Sequence, residues 1–477
     1  MKNIPIVNGI SEYLEEKIVP FSMPGHKNGR GFRDISEVLL KGDLTEVDGL
    51  DNLQEPEGII KEAEEKLTKL YKSEKSYFLV NGSTCGNLIM IFSSFKEGDK
   101  ILVERNCHKS IMNGIILRKL KPIFINNIFH SKLKAPVGID LNHLKYQLNL
   151  NKDIKGIILT YPNYYGVGIN IEETLKIAKS FNLKVLIDSA HGAHFGFHKN
   201  LPSSIQSLKA DMVVMSAHKT LPSLTQTAWL HVNNRNLIEE VEFYKNIFMS
   251  TSPSYMFMMT LDYSRNFLEE RAEKAYDDLF SLIEEFKREV MEISYFKILD
   301  EKVLREGLDK NLLIKDVKVD KSRIVLNLEK KLSGNKLLNY LRKRGIQCEM
   351  SDNKNVVLIP SPFNTGEDFK KLIKALKECP LNIIEEEDVD FYLVDLPEKI
   401  LEPFEVLNLD YERVSIEESL NRVVAENVVP YPPGVPMLVM GEKIRKEHID
   451  LLKEYIKNNI DLIGIKDKKV KVIKKSI

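Results

Sequence analysis

The stretch "MVVMSAHKTLPS" (212–223) runs from four apolar residues straight into Ser216, His218 and Lys219. Polar groups at the end of a buried run cost free energy unless they are paired or used. A desolvated ammonium has a lowered pKa, and its neutral amine can condense with an aldehyde to a Schiff base. For a lone lysine, pairing with a nearby carboxylate is the simpler explanation. Other polar groups must therefore decide what Lys219 is for.

Asp188 closes the apolar run "KVLID". A carboxylate there could hold a pyridinium nitrogen protonated, as a cofactor of the pyridoxal phosphate type requires. Taken alone, it reads better as a cap of the turn-like "DSAHGAH". In "NGSTCGN" (81–87), Gly82 permits a tight turn. The N–H groups near Ser83 and Thr84 would open a helix and make a phosphate site, although an ordinary Ser/Thr helix start reads the same way. Ser216 and His218 could add phosphate contacts. His108, after "ILVERNC", could stack on an aromatic cofactor ring or simply start a helix in solvent. His191 could support Asp188 or the ring from the other side. His194 and His198 have no evident role. No complete ligand set accompanies the histidines, so no metal site is expected.

The elements that must position these groups alternate. Strands are predicted at 76–80, 101–104, 156–160, 184–188, 212–216 and 228–232. Helices are predicted at 58–71, 83–95, 108–120 and 171–181. Continuous Val/Ile/Leu runs suggest strands covered on both faces, and the alternation points to an open α/β sheet. Ligands bind beyond the carboxyl ends of such strands. That rule selects Asn81–Thr84, Asn106–His108, Tyr161–Gly166, Asp188–His191 and Ser216–Lys219.

The expected fold is an α/β large domain with a mixed, mostly parallel sheet, a smaller α+β domain and a C-terminal α+β domain. The expected divisions are an N-terminal arm 1–35, the large domain 36–290, the small domain 291–385 and the C-terminal domain 386–477. "KKVKVIKK" near the end reads as an edge strand protected by lysines.

A chain of 477 residues exceeds one core and predicts two or three domains. Lys plus Arg number 69, as do Asp plus Glu, so no charge excess argues for a nucleic-acid or membrane partner. The N-terminus lacks the apolar core of a signal peptide, and no segment is apolar enough to span a membrane. Cys85, Cys107, Cys348 and Cys379 form no C-x-x-C pair and fit free thiols in a reducing cytoplasm.

The motifs "FSMPGHKNGRGF", "GDLTEVDGLDNLQEPEGII", "FLVNGSTCGN", "RNCHKS", "TYPNYYGV", "DSAHGAHFGFH", "SAHKTLPSLTQTA", "TSPSY" and "RVVAENVVPYPPGVPMLVMGE" span residues 21 to 442. With them the chain resembles fold type I pyridoxal phosphate enzymes. More narrowly, it resembles the Orn/Lys/Arg decarboxylase family in its short bacterial form, without an N-terminal receiver-like domain.

The resemblance implies that Lys219 is the Schiff-base lysine, that Asp188 pairs with the pyridine nitrogen and that His108 stacks on the ring. It implies that Ser83, Thr84, Ser216 and His218 surround the phosphate. Thr251 and Ser252 of "TSPSY" would reach the phosphate of a neighbouring subunit, in a homodimer with shared active sites that is open to further assembly.

It also implies decarboxylation of a basic amino acid to a polyamine-pathway amine and carbon dioxide, with Lys219 or His218 returning a proton to Cα. Arginine is favoured over lysine and ornithine, by association with short-form relatives. Asp43, Glu46, Asp48, Asp51 and Glu442 are candidates for the cationic side chain.

Ser189, Gln54, Asn163 and Pro222 depart from the family pattern and suggest a divergent branch. An aminotransferase of the same fold would need a carboxylate-binding arginine, for which Arg342 and Arg344 are candidates. "YPNYYGV" disfavours it. Retention of Lys219, Asp188 and His108 argues against a non-catalytic regulator.

Overall fold

The computed structural model describes residues 4–386, 396–431, 436–457 and 460–474. Its large sheet has seven strands: β1 (Lys75–Leu79), β2 (Lys100–Glu104), β3 (Lys121–Ile125), β4 (Ile154–Thr160), β5 (Lys184–Asp188), β6 (Met212–Met215) and β7 (Ala228–Val232). The spatial order is β1-β7-β6-β5-β4-β2-β3. Every strand but β7 runs the same way, and β7 pairs antiparallel with both β6 and β1.

The central strands β5, β6 and β7 are buried along almost their whole length. Their unbroken apolar runs therefore mark coverage on both faces. The four expected helices form at Ile59–Tyr71, Gly82–Ser94, Lys109–Leu117 and Ile171–Ser180. Strand β3, "KPIFI", was not expected from the sequence. Pro122 removes a ladder donor, and β3 pairs only with β2, at the sheet edge where a strand proline is tolerated.

The change in texture after residue 290 corresponds to a four-stranded antiparallel sheet of Phe296–Ile298, Ile324–Leu328, Asn355–Leu358 and Met350–Ser351. Helices Gly334–Lys343 and Gly366–Lys377 accompany it. A second four-stranded sheet joins Asn127–His130, Ala135–Ile139, Val167–Ile169 and Val317–Val319. A short hairpin supplies its first two strands and the other two come from distant parts of the chain, and no local pattern announced it. The two sheets share a core that includes Val137, Val167, Val319, Val325 and Val357.

Near the C-terminus, Lys469–Ile473 pairs on one side with Tyr411–Ser415 and on the other with Ile465–Lys466. The lysine-rich segment is thus the central strand of a three-stranded sheet, which corrects the edge-strand expectation. Val470 and Val472 are buried and alternate with the lysines, as a two-residue period requires. Of "PYPPGVP", residues 432–435 lie outside the described residues, as does Lys475 of the lysine-rich run.

The C-terminal region docks on the large sheet through one buried ion pair. Arg105, just beyond β2, meets both carboxylate oxygens of Glu442, at 2.6 and 2.8 Å. Its remaining donors bond the carbonyls of Pro436 and Met437. Glu442 also accepts the N–H of Val439. This planar fork, with each of the three guanidinium nitrogens hydrogen-bonded, is the geometry in which a buried pair holds.

All four cysteines are free and buried. Among the described residues no helix is long and apolar enough to cross a membrane.

Breaking the clamp from one side strands a buried charge. Arg105→Ala should cost about 3–5 kcal/mol, measured as a lowered urea midpoint. Arg105→Ala with Glu442→Ala together should cost less than the two separate losses added. Strict additivity would show that the pair is not coupled.

Candidate active site

The expected groups converge at the carboxyl ends of the parallel strands. After β6, Ser216 caps the short helix Ala217–Thr220, which carries Lys219. The Lys219 Nζ lies 3.0 Å from Nε2 of His191 in the turn after β5. Burial lowers the lysine pKa; Asp188 and Glu349 oppose this, and the Arg323 cation reinforces it. His191 is buried and held well below the ordinary imidazole range, first by desolvation and then by the Lys219 and Arg323 charges.

Asp188 is buried at the end of β5. One oxygen accepts the Ala190 N–H at 3.1 Å and the other accepts Asn87 Nδ2 at 2.8 Å. Both donors are neutral groups, an amide and a backbone N–H. The same Asn87 amide donates to Ser110 Oγ, 2.8 Å away. That hydroxyl is 2.8 Å from Nδ1 of His108, which also accepts the Ser110 N–H as the cap of Lys109–Leu117. Asn87, on Gly82–Ser94, thus ties the carboxylate to the ring-stacking candidate. Asn87 ends the quoted "NGSTCGN" stretch, but nothing in the sequence gave it a role.

At the start of that helix Gly82 has a φ of +75°, a conformation that favours glycine. Ser83 Oγ accepts a 2.8 Å hydrogen bond from Ser216 Oγ, which joins the β1 and β6 loop ends. Thr84 stands exposed beside them. His218 donates Nδ1–H to the Thr227 carbonyl at 2.8 Å and faces away from a purely phosphate role. Burial pushes its pKa down to about 4. Thr251 and Ser252 are exposed, on a turn whose Ser250 N–H bonds Asn81 Oδ1 of the same chain.

A further wall comes from residues to which no role was assigned from the sequence. The loop "SMPGHK" lies against the lysine turn, with Gly25 N–H on the His218 carbonyl at 2.8 Å. A Cβ on Gly25 would sit 2.5 Å from the backbone of Thr220, so only glycine allows this approach. Lys27 is fully buried and donates to the Ser22 and Ile359 carbonyls. Glu349, from the small sheet, accepts the Met23 N–H and the Tyr164 hydroxyl. Arg323, fully buried, reaches the Tyr164 carbonyl and His191 Nδ1.

Several expectations change. Glu442 is bound to Arg105 and is not available to a substrate. Asp51 organises its own loop by accepting the N–H groups of Asn52, Glu57, Gly58 and Ile60. Asp43, Glu46 and Asp48 are exposed. Arg342 pairs with Glu16 and Arg344 with Glu378 at the surface, away from the Lys219 cluster. His194 bonds Asp320, and His198 bonds Asp277. Asn163 serves its own turn by accepting from Tyr165 and Val167.

This donor set fits pyridoxal phosphate. A desolvated amine, a buried carboxylate held by neutral donors, an open imidazole face and hydroxyls at a helix start match its aldehyde, ring nitrogen, ring face and phosphate.

The model of the Orn/Lys/Arg decarboxylase major domain matches residues 4–315, and that of the family's C-terminal domain matches residues 396–465. An uncharacterized Bacillus subtilis protein, YaaO, is 34% identical over 98% of both chains. The arginine decarboxylase of the same organism is 29% identical over 96% of this chain and 94% of its own. The crystal structure of the Francisella novicida lysine decarboxylase LdcF superposes with a TM-score of 0.78 at 21% identity, covering 94% of this chain and 78% of that one.

The buried imidazoles make stability pH-dependent. Burial depresses His218 to about 4 and His231 to about 3. Above pH 6.5 both folded and unfolded forms are neutral. As pH falls below it, the unfolded chain takes up protons that the fold refuses, so stability is lost. Each histidine can cost roughly 3 kcal/mol by pH 4. Urea midpoints from pH 7.5 to 4.5 should fall, and His231→Phe should flatten the fall.

Proposed function

The chain belongs to the Orn/Lys/Arg decarboxylase family of pyridoxal phosphate enzymes, and from that premise we propose that it decarboxylates a basic amino acid, arginine before lysine or ornithine. The observation that carries the reading is the convergence of Lys219, His191, Asp188 and His108 at one end of the sheet. The 29% identity to an arginine decarboxylase over nearly the whole chain supports the order of substrates.

We assign Lys219 to hold the cofactor, Asp188 to its ring nitrogen and His108 to its ring face, with His191 on the opposite side. Gly82, Ser83, Thr84 and Ser216 take the phosphate, and His218 supports them from the next turn. When bound, the cofactor supplies an electron sink for the pair released as the Cα–carboxylate bond breaks.

The protein's own part is to orient and to exclude water. Asn87 fixes Asp188, and the "SMPGHK" loop closes over the lysine turn. A dry cleft favours loss of a carboxylate as neutral carbon dioxide. Proton return falls to Lys219, whose freed amine first takes up a proton given up by the substrate's ammonium. His218 already gives Nδ1–H to Thr227, and its remaining nitrogen stays unprotonated well below neutral pH.

Among the acids, Glu349 replaces the earlier candidates for the cationic group. It acts on both Lys219 and Arg323 and is held by Tyr164 and Met23 N–H. The exposed hydroxyls of Thr251 and Ser252 suit contact with a neighbouring subunit, in a homodimer with shared sites. The divisions at 35/36, 290/291 and 385/386, and a cytoplasmic place in polyamine synthesis, belong to the same proposal.

The test is release of carbon dioxide and amine from arginine, lysine and ornithine. Arginine should react best, and Lys219→Ala should abolish both turnover and the cofactor's visible absorbance band. Glu349→Gln should raise KM roughly tenfold or more, with kcat changed much less. No release from any of the three would reject the substrate class.

A further inference from the structure

The contact between Lys219 and His191 has a direction that hydrogen-bonding capacity fixes. An arginine guanidinium has only donors. The Arg323 Nη2 lies 3.4 Å from His191 Nδ1, so Nδ1 must accept. In a neutral imidazole the proton is then on Nε2. Nε2 faces Lys219 Nζ at 3.0 Å, and a bond from Nε2–H needs a lone pair on that nitrogen. An ammonium has none. The reverse arrangement, with the lysine donating, would put the Nδ1–H against the guanidinium.

Arg323 is itself immobilised. Its Nη1 donates to the Tyr164 carbonyl at 2.7 Å, and its Nε lies 3.9 Å from the buried carboxylate of Asp320. Asp320 is bound in turn by His194 and by the Ser322 N–H and hydroxyl. The Tyr164 ring packs on His191 with centroids 4.7 Å apart. The imidazole is thus gripped on a ring face and at both nitrogens.

We propose that Arg323 is a positioning residue that acts through His191: it fixes the imidazole proton on Nε2, and that N–H holds Lys219 as a neutral amine ready to capture the cofactor's aldehyde. This rests on Lys219 being the cofactor-binding lysine. The groups facing Lys219 from every side are Asp188, Glu349, His108, His191, His218 and Arg323. Asp188 and Glu349 favour the ammonium; burial is the first influence against them, the Arg323 cation adds to it, and the His191 N–H contact acts in the same direction.

The experiment uses the full chain freed of pyridoxal phosphate. Trace labelling with acetic anhydride, read by mass spectrometry, gives the pH midpoint of the Lys219 amine. Arg323→Met should move that midpoint up by about one pH unit, a roughly tenfold fall in labelling and in pyridoxal phosphate uptake at a pH below it. Arg323→Lys, which keeps a cationic donor, should restore most of the loss.

An unchanged midpoint in a folded Arg323→Met protein would overturn the proposal. Should that variant not fold, nitrogen-15 shifts of histidines in the wild type decide. An Nε2–H tautomer for His191 supports the proposal, and an Nδ1–H tautomer refutes it. Failure of the wild type to take up pyridoxal phosphate at Lys219 would instead reject the cofactor assignment.

Discussion

A single carboxylate at a strand end organises the cleft. Asp188 is buried, and Asn87 and the Ala190 N–H satisfy its oxygens, which would otherwise cost free energy. Asn87 also holds Ser110, and Ser110 holds His108. The carboxylate and the open imidazole face are therefore set by one amide. A helix that shifted by a turn would lose both contacts together. The parallel sheet makes this possible by bringing β1, β2, β5 and β6 to a common edge with their loops on one side.

Around that edge, buried charges are placed so that each has a fixed partner. Arg105 and Glu442 lock the C-terminal region onto the loop that ends at His108. Lys27, pushed down to about 7 by burial, gives its amine to two carbonyls and seats the N-terminal loop over the lysine turn. Arg323 and Asp320 hold His191 from the small sheet. Such pairs specify one arrangement through the penalty for leaving any partner unpaired. The cleft is assembled from four distant parts of the chain, each entering with a polar group whose partners are fixed by the fold.

The legible part of the structure was local. β5, β6 and β7 showed as apolar runs because both faces are covered. Lys219, Asp188, His108 and Gly82 stood out because each ends such a run. β3 was hidden by Pro122 and its edge position. The strand Lys469–Ile473 looked like an edge because its lysines alternate, yet alternation reports only which face is wet, and the strand is paired on both sides. Glu442 and Asp51 looked like free acids, since a sequence does not display the guanidinium or the N–H groups that bind them.

The sequence by itself determined the α/β class, the strand ends that carry chemistry and, through its motifs, the family. These follow from short-range patterns: which residues are apolar in a row, and what comes next. The tertiary structure decided which polar groups meet. Arg323 and Glu349 have no local mark, and Asn87 ends a motif that shows no role for it, because their meaning lies in partners up to 326 residues away. Hydrogen-bond direction and the loss of solvent depend on those partners, and they alone decide whether Lys219 presents an ammonium or an amine.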